Sequence, residues 1–305
     1  MAGARQGVLM KQTAVSSIKL KNYLDTKKRD TRVMGEIERH ILSKPFEERN
    51  QTVLHPSDII KPEWCALAAY HALKGNYVET RERPTLRLQS IFDTGHAAHA
   101  KWQGYLREMG VLFGKWTDLR IDDYTWALSK DLSDSPQLIY DEVPLYSAAH
   151  RMAGHSDGWV KGLGEDFLIE IKTIGAGTIR IEAPSLFGGS NDLDTAWRNI
   201  RQPFRTHQLQ GQIYLHLCHL MAANGELPSP APKEIVFIYE LKSNQDYKEF
   251  TVAYDPAFSE PYFEAALDVV WGVENDRAPA CSVDSVLGCP RCKPFRGEDV
   301  NDTKK

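Results

Sequence analysis

One stretch in the middle of the chain constrains the fold more than any other: Gly154-His-Ser-Asp-Gly-Trp-Val-Lys-Gly162, continued by Asp166-Phe-Leu-Ile-Glu-Ile-Lys-Thr173. Phe167, Ile169 and Ile171 alternate with Leu168, Glu170 and Lys172, a period of two that predicts a β-strand. Glu170 and Lys172 are two residues apart and point the same way, while the opposite face is apolar and packs on a core. Ser156 to Lys161 reads as a second strand, with Gly162-Leu-Gly-Glu165 as the turn between them. A symmetric turn sets Gly162 across from Glu165 and, further along the pair, Asp157 across from Glu170. Two carboxylates directly opposite repel, and a hard divalent cation between them turns that repulsion into coordination. Lys172 then stands beside the cation, placed to hold a water or an anionic oxygen. The bland alternative is a solvated ion-pair cluster, because Glu-x-Lys on a strand is common by itself.

Two helical patterns flank this hairpin. Leu86 to Gly110 is the longest, with Leu88, Ile91, Phe92, Gly95, His99, Trp102, Leu106 and Met109 at steps of three and four. A mid-helix glycine costs up to about 1 kcal/mol relative to alanine, so Gly95 predicts close approach of a backbone or a ligand. His99 and Gln103 share a face one turn apart. His99 is the candidate nitrogen ligand, His96 its rival, and an imidazole among carboxylates shifts preference toward manganese over magnesium. The second helix opens at Pro203 and runs to about Ala223, with His207, Gln210, Tyr214 and Cys218 in one row. Gln210 and Tyr214 can orient a carboxylate, a water or a phosphate on a sheet beneath them, or simply form a polar stripe. Short helices are expected over Ser16 to Lys28, Thr31 to Leu42, from Ser57 or Asp58, through Cys65 and Tyr70, and over Leu193 to Arg201 and Pro261 to Asp276. Strands are expected over Leu119 to Trp126, Leu138 to Tyr146, Arg151 to Lys161, Glu234 to Leu241 and Glu249 to Tyr254. Gly175 to Ser190, with four glycines, reads as a long binding loop or lid.

Length and charge bound the class. The chain has 305 residues, 42% hydrophobic and 26% charged, enough for one large domain or two small ones. It has no apolar run near the length of a membrane span, and no apolar signal-peptide core at its start, so the expected location is the cytoplasm. The net charge of −4 is uneven: residues 1–50 hold 11 Lys and Arg against 6 Asp and Glu. That basic arm is either a solvated surface helix or a contact to nucleic-acid phosphates.

Five cysteines in such a chain argue against disulfides. Cys281-x7-Cys289-Pro-Arg-Cys292 has no histidine after it, and Cys65 lies far upstream. Four thiolates from opposite ends of the chain can bind one centre, an iron–sulphur cluster or zinc. Cys218, on an apolar helix, reads as packing.

Taken together, these motifs resemble the PD-(D/E)XK nuclease superfamily, in the branch of the CRISPR-associated iron–sulphur exonucleases, the nuclease domains of RecB- and AddB-type helicase–nucleases and related phage exonucleases. The resemblance covers roughly residues 55–292. Gly95-x-x-x-His99 is similar to the family's helical histidine motif, Asp157 to its metal-binding aspartate, Glu170-Ile171-Lys172 to its Glu-x-Lys, and Gln210-x-x-x-Tyr214 to its Gln-x-x-x-Tyr helix. Cys65, Cys281, Cys289 and Cys292 resemble its cluster-binding quartet, except that the wide gap comes first here.

The resemblance implies an α/β fold: a restriction-endonuclease-like mixed central sheet flanked by helices, with a helical cap tied by the cysteine centre. It implies a basic helical segment over 1–54, the nuclease domain over 55–292 and a polar tail over 293–305. It also implies a metal-dependent DNA exonuclease acting on single-stranded or frayed ends in recombination, repair or phage DNA metabolism. The alternatives are a structure- or strand-specific endonuclease and a non-catalytic DNA-binding protein with a structural cysteine centre. Asp157, Glu170, Lys172, Gln210 and Tyr214 are the implied catalytic set. His99, Asp157, Glu170 and the Ile171 carbonyl are the implied ligands of one or two Mg2+ or Mn2+ ions. The cysteines would hold a cluster, of 4Fe-4S type, with Zn2+ as the alternative. His155, Arg180, Arg201 and His207 would contact substrate. The partners implied are DNA and recombination proteins, with no membrane and the oligomeric state left open. For a phage-encoded chain the location would be the host cytoplasm.

Overall fold

The structure, a computed structural model, describes residues 33–45, 49–77, 84–132, 138–189, 191–283 and 289–295. They divide into two compact units, one holding residues 33–45 and 84–93 and the other holding the rest. The first unit contains helix α1 (Met34–Ser43), which overlaps the predicted Thr31 to Leu42 and runs one residue past it, and the opening turns of the long helix that starts at Leu86. The helix expected over Ser16 to Lys28 and the tail beyond residue 295 lie outside the described residues.

The second unit is built on the predicted strand, β7 (Phe167–Ile174). Strand β6 (Gly158–Val160) pairs with it antiparallel, Gly158 opposite Ile169 and Val160 opposite Phe167, in the register a symmetric turn requires. The turn holds Gly162 at φ +90° and Gly164 at φ +106°, backbone that glycine adopts without strain. On its other side β7 runs parallel to β8 (Glu234–Leu241), which pairs antiparallel with β9 (Tyr247–Ala253). Strands β1 (Leu112–Asp118), β2 (Asp123–Leu128) and β3 (Ile139–Asp141) complete a seven-stranded mixed sheet in the order β2-β1-β6-β7-β8-β9, with β3 paired to β1. A separate ribbon joins β4 (Val143–Ser147) to β5 (Met152–Ser156).

The helices of this unit are α2 (Pro56–Ile59), α3 (Ala66–Leu73), the part of α4 (Leu86–Glu108) from residue 94 on, α5 (Ala176–Glu182), α6 (Leu193–Asn199), α7 (Arg205–Ala223) and α8 (Pro256–Glu274). On one face of the sheet, Trp102 and Leu106 of α4 pack with Ile169, Ile171, Val160 and Val236. Glu240, buried on β8, anchors that helix by accepting from Trp102 Nε1 and from Lys101 Nζ, each at 2.6 Å. On the other face lies α7. A Cβ at Gly211 would stand 2.7 Å from Phe237 Cζ, so the missing side chain is what lets α7 close onto β8.

Several expectations are corrected here. Strand β7 is covered on both faces and Glu170 is only 3% exposed, which speaks against the bland alternative of a solvated ion-pair cluster. The strand expected over Arg151 to Lys161 breaks at Asp157, where the chain leaves the β4–β5 ribbon and enters the main sheet. The expected loop Gly175 to Ser190 contains α5 and a short 3-10 turn, held by the buried side chains of Ile179 and Phe187. Leu119 to Trp126 is a turn leading into β2, with Asp122 at φ 51°, and the preceding strand is β1. Helix α2 starts one residue after His55, while Asp58 pairs with Arg49 at 2.6 Å and Lys61 at 2.7 Å. Helix α8 starts at Pro256, capped by Asp255, so Pro261 falls inside it. Leu54 is core: its N–H donates to the Arg151 carbonyl at 2.7 Å, and its own carbonyl accepts from Ala153 N–H at 2.9 Å.

Two glycines test this packing. Gly211→Ala forces a methyl into Phe237 and should destabilise the fold by about 1–3 kcal/mol. Gly104→Ala, in α4 with open space around it, should stabilise by up to about 1 kcal/mol. Urea unfolding of the two variants reads both. Equal stability of Gly211→Ala and the parent would contradict the seating of α7 on β8.

Candidate active site

The site forms where the pairing of β6 with β7 stops. Strand β7 continues past Ile169 with β8 on one side, but on the other side β6 ends at Gly158. Asp157 fills the vacated position: its Oδ2 accepts from the Ile171 N–H at 2.5 Å. Ser156 closes the same gap, its hydroxyl donating to the Ile169 carbonyl at 2.8 Å. Helix α4 then holds Asp157 from the other side. Gln103 Nε2 donates to the Asp157 carbonyl at 2.8 Å, and His99 Nδ1 lies 3.3 Å from Asp157 Oδ1.

Alternation along β7 turns Glu170 and Lys172 toward α7, where the predicted row waits. Lys172 Nζ donates to Glu170 Oε1 at 2.6 Å and to Gln210 Oε1 at 3.2 Å, and Gln210 Nε2 donates to the Tyr214 hydroxyl at 2.7 Å. Gln210 therefore links the lysine to the tyrosine, and Lys172 is the group that row positions. Glu170 Oε2 is buried with no hydrogen-bond partner.

The electrostatics follow from burial among like charges. Burial, together with the neighbouring Asp157, lifts the Glu170 carboxyl to about 7, against the pull of Lys172 and His99. Burial works against the Lys172 charge, but Glu170 and Asp157 outweigh it and hold the ammonium above its ordinary value. Burial also opposes a charged His99, yet hydrogen bonds to Asp157 and Glu142 and the charge of Glu170 carry it up to about 10. Burial and the Glu170 charge push the Tyr214 phenol well upward, so it stays neutral.

His99, Glu142 and Asp157 each offer a ligand atom, all within 4.8 Å of one another. Glu142, between β3 and β4, is the residue that motif spacing does not reveal. Its Oε1 is 4.0 Å from His99 Nδ1, and only the ribbon's return past Asp157 brings it there. Glu170 stands outside that set, and Ile171 meets Asp157 through its N–H. The rival His96 is exposed on α4. A Cβ at Gly95 would stand 3.8 Å from Thr173 Oγ1, an ordinary contact, so no neighbouring backbone demands glycine there. His155, Arg180 and Arg201 are exposed, and His207 is half-buried with Nδ1 bonded to the Tyr239 hydroxyl.

Two carboxylates and an imidazole facing one point, beside a buried carboxylate oxygen without a partner, fit a hard divalent cation such as Mg2+ or Mn2+. A second group lies elsewhere in the same unit. Cys65, which precedes α3, meets Cys281, Cys289 and Cys292 with all four sulfurs within 4.8 Å of one another. Cys218 is buried in the main core, as packing predicts, and burial raises its thiol to about 12.

No protein-family model and no curated protein matches the sequence. Among solved structures, the chain is similar to the alkaline exonuclease LHK-Exo from Laribacter hongkongensis, at 12% identity and a TM-score of 0.40, over 74% of this chain and 90% of that one. The same exonuclease in complex with dAMP gives 11% and 0.39 over the same shares. The crystal structure of SSO0001 gives 13% and 0.33, over 78% of this chain and 82% of that one. Likeness at this level leaves function to the geometry of the site.

His207 supplies a test of the buried electrostatics. Burial, with Lys172 beyond it, lowers its imidazole from 6.5 to about 3. The unfolded chain therefore binds a proton there that the folded chain refuses. The resulting stability is complete above pH about 6.5 and is lost as pH falls toward 3. Thermal melts at about pH 7 and about pH 5 should show a larger acid loss in the parent than in His207→Gln. An identical pH dependence would contradict a neutral His207 held away from water.

Proposed function

We propose that the chain is a metal-dependent DNA nuclease that hydrolyses phosphodiester bonds at DNA ends, with single-stranded or frayed ends favoured, in recombination, repair or phage DNA metabolism. The observation that carries this reading is the Asp157, Glu170 and Lys172 set. It is assembled at a gap in the sheet, its two carboxylates buried and its lysine half-buried, and is flanked by His99 and Glu142, with one carboxylate oxygen left unpartnered. Burying these groups is costly unless a ligand uses them. A purely binding protein has no need of such a set.

His99, Glu142 and Asp157 would hold a Mg2+ or Mn2+ ion, with Glu170 Oε2 beside them. When bound, that ion would supply Lewis-acid stabilisation of the charge that develops on a phosphate under attack. Lys172, held charged by Glu170 and steadied by Gln210, would donate to the attacking water or to a phosphate oxygen and favour loss of the water's proton. Tyr214 fixes the Gln210 amide, so its contribution reaches the reaction through Lys172. His155, Arg180, Arg201 and His207 are the proposed contacts to DNA, and the basic segment over 1–54 would add phosphate contacts outside the nuclease domain over 55–292.

End-labelled single- and double-stranded DNA, incubated with Mg2+ or Mn2+ and resolved on a gel, tests the reading. Degradation from ends, with circular single-stranded DNA spared, is the expected result; cutting of the circle would make the protein an endonuclease. Lys172→Ala should lower the rate by about 100-fold or more while DNA binding persists. Asp157→Asn keeps an acceptor for the Ile171 N–H and should still abolish cleavage. Undiminished cleavage in either variant would sink the assignment. Glu142→Gln should raise the metal concentration needed for half-maximal rate by about tenfold (~1.4 kcal/mol). An unchanged requirement would remove Glu142 from the ligand set.

A further inference from the structure

The family resemblance implies an iron–sulphur cluster at Cys65, Cys281, Cys289 and Cys292, but the positions of the sulfurs do not fit one. Cys65 Sγ and Cys292 Sγ are each 3.6 Å from Cys281 Sγ, and all four sulfurs lie within 4.8 Å of one another. A cubane places each thiolate on a different iron at the outside of the cluster, which holds the four sulfurs roughly 6 Å apart. A two-iron cluster separates its two thiolate pairs by a similar distance. A single tetrahedral ion with metal–sulfur bonds of about 2.3 Å sets the sulfurs about 3.8 Å apart. Two pairs at 3.6 Å and none beyond 4.8 Å lie nearer the spacing about one ion than that about a cluster.

We propose that these four cysteines bind one zinc ion, which joins the start of α3 to the chain that follows α8. The choice of zinc rests on the donor set and its surroundings. Four thiolates leave no open position. Three of the cysteines are buried, and Leu67, Ala68, Val283 and Phe295 pack around the group. A closed, all-protein tetrahedron is the form of structural zinc sites, and thiolates hold zinc more tightly than ferrous iron. The order of the cysteines agrees. In Cys289-Pro-Arg-Cys292 the Lys293 N–H donates to the Cys289 carbonyl at 3.1 Å, and this compact turn brings two sulfurs to one point. A disulfide does not account for the arrangement, because Cys281 is equidistant from two partners.

The surroundings also show what the ion would brace. The Ser282 hydroxyl accepts from Ala66 N–H at 3.0 Å and donates to the Trp64 carbonyl at 2.9 Å, pinning the same junction as Cys65. One turn further along α3, Tyr70 donates to Asp276 at 3.1 Å, just beyond α8. Metal binding that closes so long a loop of chain is coupled to folding. Such a brace carries no electrons.

Metal content tests the proposal without reference to nuclease activity, so a failed nuclease assay leaves its outcome readable. The full chain is purified anaerobically from cells supplied with both iron and zinc, then assayed for metals, acid-labile sulphide and visible absorbance. The expected result is a colourless protein with one zinc per chain and no labile sulphide. Exchange with Co2+ should give the intense visible bands of a tetrahedral thiolate site. A brown protein with iron and sulphide, a red protein with a single iron, or a metal-free protein would each overturn the proposal. Cys289→Ser should lose the zinc. If that variant fails to fold, metal content of the parent still decides.

Discussion

The hydrogen bond from the Ile171 N–H to the Asp157 carboxylate is the interaction on which the rest of the site depends. A strand in mid-sheet needs a partner for each backbone group it presents. Strand β6 stops at Gly158 and leaves β7 without a neighbouring strand there. Asp157 satisfies the exposed N–H with a side chain instead, and so turns its other oxygen toward His99. Gln103 holds its carbonyl, and Ser156 satisfies Ile169. The gap in the sheet lets groups from both faces meet: His99 arrives from α4, and Lys172, Gln210 and Tyr214 stand on the α7 side. A continuous β6 would have kept them apart.

The energetics of this gap point to a ligand. Glu170 is buried beside Asp157, and one of its oxygens has no partner. Lys172 compensates only the other oxygen. A buried carboxylate pair with one ammonium is a poor way to stabilise a fold, since similar volume filled by apolar side chains is often as good or better. Here Trp102, Leu106 and the β7 isoleucines already fill the adjoining core. The polar set is therefore intelligible as a cradle for a cation, which would use the unpartnered oxygen and offset the burial and the Asp157 repulsion that lift Glu170.

Much of this was legible in the sequence, because two simple periods carry it. The period of two in Phe167 to Ile171, with glycines at 162 and 164, was enough to set the hairpin register that places Asp157 and Glu170 near each other. The helical period put His99 with Gln103, and Gln210 with Tyr214, and both pairs act together in the fold. What escaped depends on tertiary context. The break at Asp157 leaves no mark in composition, since Ser156 to Val160 reads as continuous strand. Glu142 has no local pattern and reaches His99 only because the β4–β5 ribbon folds back. The glycines of 175–189 suggested an open loop, but Ile179 and Phe187 bury and organise it. The burial of Glu170 could not be read from β7 alone, because it depends on the pairing with β8 and on the helices that cover the sheet.

Manganese binding shows whether the gap beside β7 is a divalent-cation site. Electron paramagnetic resonance of Mn2+ titrated into the parent protein and into Asp157→Asn separates free from bound ion. Saturable binding is expected in the parent and is expected to be lost in the variant, although both are folded. Equal binding in the two proteins, or none in the parent, would contradict such a site.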